Sequence, residues 1–132
     1  MNAADAGQAS LFDQLGGEPV LRSIIRTFVD RMFSDPMIGY LFRKASAERV
    51  ADKEYELAAQ HLGASDVVYT GRPLGTAHAP HRILEGQFAR RLHILRSTLE
   101  EAGAPPAVIA HWLALTERLK PMVLGDDSSC AP

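Results

Sequence analysis

The chain is short of cysteine, of long apolar runs and of surplus charge of either sign, and each shortage removes a class of protein. Its single cysteine, Cys130, excludes an intrachain disulfide framework and is compatible with a reducing compartment. No segment approaches the roughly 18 to 20 consecutive apolar residues of a membrane span. The start at Met1 has neither the basic region nor the apolar core of a signal peptide, so a cytoplasmic protein that stays off the membrane is the expectation. A net charge of −2 with the signs interspersed offers no positive footprint to a phosphate backbone, which argues against nucleic acid as a partner. Alternating strand patterns, internal repeats, domain linkers and nucleotide-binding motifs are also missing.

What the chain does have is the material for one core. Of its 132 residues 46% are hydrophobic, within the size range of a single domain. The expected organisation is a flexible segment over residues 1–10, a domain over 11–124 and a polar tail over 125–132.

Helical periodicity organises the domain. Residues 10–15 read as a short helix stopped by Gly16 and Gly17. Pro19 suits the first turn of a helix over 18–33, where Leu21, Ile24, Ile25, Phe28 and Met32 recur at helical spacing. Asp35 and Pro36 end it, a short turn follows around 37–42, and Ser46 caps a helix that runs to about Leu62. The predicted inner stripe of that helix is Val50, Glu54, Leu57, Ala58, His61 and Leu62, so Glu54 needs a partner or a proton if it is buried. A loop over 64–74 leads to two long helices. One covers 85–102 with Phe88, Leu92, Leu95 and Leu99 inward; the other covers 107–124 with Val108, Trp112, Leu115, Leu119 and Met122 inward. Pro121 is expected to kink or fray the last turn. The fold class is all-α.

Among the five histidines, His78 stands out. It follows the Tyr69-x-Gly71 turn, and Pro80 disfavours helical geometry at Ala79, which constrains the direction of the imidazole. A neutral imidazole is a good iron ligand. His81 is the alternative ligand, whereas His61, His93 and His111 fall within helices, as surface or hydrogen-bonded core groups. A zinc site on His78 and His81 would lack its third and fourth ligands.

The ordered set LFDQLGG at 11–17, FVDRMFSDP at 28–36, Leu41 with Phe42, Gly63, Tyr69, Gly71, Arg72, Pro73, Ala77, His78 and Phe88 resembles the truncated haemoglobins over residues 11–124. The resemblance implies a two-over-two helical sandwich around haem b, with His78 as the proximal iron ligand and Phe42 against the porphyrin. It implies that the sixth position is left to diatomic gas ligands such as oxygen or nitric oxide. Lys53 corresponds to a basic residue near a propionate, with Arg72 or Arg82 contributing, and Tyr69 anchors the loop. The distal side departs from the family pattern. Val29 replaces a tyrosine that many members use to hydrogen-bond oxygen, Val50 and Glu54 take the two distal positions of their helix, and Arg91 stands where several subgroups carry tryptophan.

On that alignment Glu54 and Arg91 meet in the pocket and favour water, peroxide or an anion over stable oxygen storage. A different helix register would instead send both charges to solvent. The implied activities are oxygen-dependent detoxification of nitric oxide, peroxide chemistry or ligand sensing. Turnover would require a separate reductase, because no reductase domain is attached. The alternative of another class is a haem-free globin-fold sensor or interaction module.

Overall fold

The computed structural model describes residues 9–71 and 83–124, and these are helical wherever they are regular. Helix α1 (Leu11–Leu15) is opened by Ser10, whose hydroxyl accepts from the Asp13 amide at 3.0 Å, and is closed at Gly16 with φ +125°. It is tied to a distant part of the chain by the Phe12 amide, which donates to the Leu62 carbonyl at 2.8 Å. Gly63 makes that approach possible: its φ is +95°, and a Cβ there would lie 3.1 Å from Cβ of Ser10.

Helix α2 (Gly17–Ser34) is the centre of the molecule. Leu21, Ile24, Ile25, Phe28, Val29 and Met32 are buried, a stripe broad enough to serve neighbours on more than one side. It packs against α3 (Ala47–His61), α4 (Glu85–Glu101), α1 and the 3-10 turn Gly39–Phe42. Helix α5 (Pro106–Leu124) packs on α4 and α1. No helix among the described residues is long and apolar enough to cross a membrane.

The turn after α2 is fixed by one carboxylate. Asp35 accepts from the amides of Met37 and Ile38 at 2.9 and 3.1 Å, and Arg90 of α4 places Nε and Nη2 at 2.9 and 2.7 Å from its other oxygen. The Arg90 hydrogen bond, followed by the two amides, holds the Asp35 carboxyl below the usual carboxylate range against the opposing effect of burial. The chain then doubles back so tightly that a Cβ on Gly39 would lie 2.5 Å from the Phe33 carbonyl oxygen, and Phe42 stacks on Phe33 with ring centroids 4.8 Å apart.

Two expectations need correction. The core face of α3 is Tyr55, Ala58 and Ala59, followed by Leu62, because small alanines let α3 sit closely on α2; Val50, Glu54 and Leu57 are half-buried and turn to a cavity instead. Leu92 and Leu119 are half-buried and Met122 is exposed, since the core of α4 and α5 runs through Ile94, Leu95, Thr98, Leu99 and Val108, Trp112, Leu115, Thr116. As expected, α5 runs to Leu124, with Pro121 inside its last turn. The amide that Pro121 lacks would have served the carbonyl of Glu117, an exposed residue whose backbone water can reach.

Because Asp35 is worth more ionised in the folded chain than in the unfolded one, its contribution is complete above the unfolded value near ~3.9 and is lost as pH falls through the folded value. Asp35→Ala should lower the unfolding free energy at neutral pH by about 1–3 kcal/mol. In urea titrations the gap from wild type should narrow as the pH falls below about 4. A gap that stays constant down to the acid limit would contradict this role.

Candidate functional site

Between the 3-10 turn, α3 and α4 lies a cavity of about 670 Å³, within the size range of sites for small molecules and cofactors. Its apolar walls come from Ile38, Leu41 and Phe42 of the turn region, Val50 and Leu57 of α3, and Phe88 of α4. These side chains are free to line it because α3 and α4 spend their other faces on α2.

Across this space Glu54 of α3 and Arg91 of α4 form an ion pair. Arg91 Nη2 donates to both carboxylate oxygens, at 2.9 and 3.0 Å, and each side chain keeps 23% of its accessible surface. The Arg91 guanidinium also lies 5.0 Å from the ring centroid of the buried Phe28, which offers it a π face in place of water. The sequence expectation that Glu54 and Arg91 meet is met here, and a register that sends both to solvent is not.

A second polar cluster straps the loop entrance onto α3. Glu56 accepts from the amide and hydroxyl of Thr70 at 2.8 and 2.7 Å, Lys53 donates to the Thr70 hydroxyl at 2.6 Å, and Gln60 accepts from the Tyr69 amide at 2.7 Å. The Thr70 amide, then its hydroxyl, draws the Glu56 carboxyl below its ordinary value, with the Lys53 charge adding to them. The Tyr69-x-Gly71 pattern has a steric cause: a Cβ on Gly71 would lie 2.5 Å from Cζ of the Tyr69 ring. Glu56 and Gln60 were missed in the sequence, since each serves a backbone amide of the loop, 14 and 9 residues away.

Of the residues singled out in the sequence, Phe42, Val50, Lys53, Glu54, Tyr69 and Arg91 all line this cavity. Val29 is buried and borders a separate, smaller depression between α2 and α3 with Arg22, Ala51 and Tyr55. His78, His81, Arg72 and Arg82 lie outside the described residues. The chain reaches that segment at Gly71 and leaves it at Ile83, and both of these flanking residues line the cavity. Lys44 and Arg49 line it as well and were not singled out.

The remaining histidines are engaged elsewhere. His61 Nδ1 lies 2.9 Å from the Leu57 carbonyl and His111 Nε2 2.9 Å from the His61 carbonyl, so each carries its proton on that nitrogen. His93 is exposed and borders a shallow surface depression with Arg31 and Arg90.

Residues 10–124 match the bacterial-like globin family. The chain belongs to that family and is a truncated, two-over-two globin. It is similar to the group 1 truncated haemoglobin GlbN of Mycolicibacterium paratuberculosis, 27% identical over 118 residues that cover 89% of this chain and 86% of that protein. In fold it is similar to the truncated haemoglobin of Tetrahymena pyriformis in its Fe(III) form, with a TM-score of 0.81 at 21% identity over 89% of this chain and 99% of that one. A similar match is the 2/2 haemoglobin of a Synechococcus species, solved in the cyanomet state with covalently attached haem, with a TM-score of 0.81 at 19% identity over 88% and 98% of the two chains.

The ion pair should show as coupling in stability. Arg91→Leu strands the Glu54 carboxylate and is expected to cost about 1–3 kcal/mol, while Arg91→Leu combined with Glu54→Gln costs less than the sum of the single changes by about 1 kcal/mol. Urea unfolding of the four proteins of the cycle measures it; strictly additive costs would mean that the pair contributes nothing.

Proposed function

We propose that the chain is a haem b globin whose iron is held by His78 and whose cavity receives a diatomic gas ligand such as oxygen or nitric oxide. The observation that carries this reading is the cavity itself. Its volume of about 670 Å³, its apolar and aromatic walls and its basic Lys44, Arg49 and Lys53 suit a flat apolar macrocycle that carries two carboxylates. Gly71 and Ile83, the two flanks of the His78 segment, both belong to the cavity wall, and His61, His93 and His111 are placed elsewhere. Family membership and the haem named for the Synechococcus relative support the same reading.

Haem, when bound, supplies an iron able to take a diatomic ligand and to change oxidation state. The residues of this chain supply the rest. Phe42, braced by Phe33, offers a ring face to the macrocycle and helps exclude water. Lys53, oriented by the Thr70 hydroxyl, would donate to a propionate, with Arg72 or Arg82 as its companion. Glu56 and Gln60 hold residues 69–70 against α3, which fixes where the His78 segment begins. Arg91, which lines the cavity, polarises the bound ligand, a role that Val29, apolar and bordering a separate depression, does not fill. Repeated redox turnover, as in nitric oxide detoxification, would need an electron donor to return the iron to its reduced form.

Hemin titration followed by the Soret band tests this. Wild-type protein should bind hemin at one site, His78→Ala should lose or strongly alter the band, and His81→Ala should retain it. A wild-type chain that rejects hemin, or a band that depends on His81 and not on His78, would overturn the reading and favour a haem-free module.

A further inference from the structure

The ion pair in the cavity leaves part of the Arg91 guanidinium uncommitted. Arg91 commits one nitrogen, Nη2, to both oxygens of Glu54; among the described residues nothing accepts from its Nη1 or Nε. A guanidinium carries five N–H donors, so the pair is neutral in charge but still has donors to give. In the cavity lining among the described residues, Glu54 is the single carboxylate. The other charged or titratable groups there are Lys44, Arg49, Lys53 and Tyr69; Lys53 is held by Thr70 and Glu56, and no cation other than Arg91 is paired with Glu54.

Such a pair discriminates against bare anions. An anion entering alone must share Arg91 with a carboxylate of its own sign, and the two negative groups repel one another at close range in a partly desolvated site. The same anion arriving with a proton meets no such cost. The H–X bond breaks, the proton passes to a Glu54 oxygen, and X⁻ replaces the carboxylate against the Arg91 guanidinium. Atoms and charge balance, no oxidant or reductant is needed, and the cavity keeps the net charge it began with.

We infer that the cavity binds small protic weak acids, such as hydrazoic acid or hydrogen sulfide, by dividing them between Glu54 as proton acceptor and Arg91 as anion holder. This rests on the haem reading above, because the bound hemin both reports the ligand and occupies the apolar part of the cavity. The pair then makes anion binding a proton-consuming event. Val50, which lines the cavity one helical turn before Glu54, carries no group that could take the proton instead.

Azide is the probe. The hemin-loaded full chain is titrated with sodium azide from about pH 6 to about pH 8, with absorbance giving the dissociation constant and an indicator dye counting protons. Wild type should lose about tenfold in azide affinity per pH unit and take up one proton per azide. Glu54→Gln, which is isosteric, should flatten the pH dependence, abolish the proton uptake and bind azide more tightly at the upper end of the range. Arg91→Gln should weaken azide binding by about tenfold or more. An intact Soret band with pH-independent azide affinity in wild type, or proton uptake that survives Glu54→Gln, overturns this inference and leaves the haem reading standing. A chain that takes up no hemin overturns both.

Discussion

The Glu54–Arg91 ion pair is the constraint around which the site is arranged. Helices α3 and α4 both lean on α2 through apolar faces, yet toward one another they leave a space of about 670 Å³. Apolar side chains at positions 54 and 91 would face each other across that space with nothing to orient them. A carboxylate and a guanidinium bond instead, with heavy atoms 2.9 and 3.0 Å apart, and tie α3 to α4 across the opening. The pair is half-buried, so neither charge is stranded in the core, and the ring of Phe28 beneath Arg91 ties it to the central helix α2. The polarity of the cavity and the register of the two helices are thereby set together.

Two other polar clusters hold the frame in which that pair works. Asp35, with Arg90 and two backbone amides, fixes the turn that carries Leu41 and Phe42 to the cavity wall. Glu56 and Gln60 fix residues 69–70 at another edge of the wall. In both cases a carboxylate is stabilised in its ionised form by hydrogen bonds, for Asp35 from Arg90 first and then from the two amides of the turn, and for Glu56 from the amide and hydroxyl of Thr70. Electrostatics therefore positions segments that hydrophobic burial alone would leave loosely specified.

The helices were legible in the sequence because their signals are local. Gly16, Ser46 and the spacing of Leu21, Ile24, Ile25, Phe28 and Met32 mark boundaries and faces within a few residues. The meeting of Glu54 with Arg91 was also legible, through the family alignment and the cost of an unpaired carboxylate on an apolar face. The face of α3 was misread because periodicity records where apolar residues recur without distinguishing a core from a cavity. Val50 and Leu57 line the cavity, while the small Ala58 and Ala59 are buried in the core. The straps through Asp35, Glu56 and Gln60 escaped notice because each depends on a partner distant in sequence or on a backbone amide, and a residue string displays neither.

The proposal that haem, His78 and the charged pair share one pocket is tested most directly by a crystal structure of the hemin-loaded chain with azide. It predicts iron density within coordination distance of the His78 imidazole, azide on the opposite face of the macrocycle, and the Arg91 guanidinium within hydrogen-bonding distance of the azide. Iron bound by another residue, or a haem seated with Glu54 and Arg91 turned away from the ligand, would contradict it.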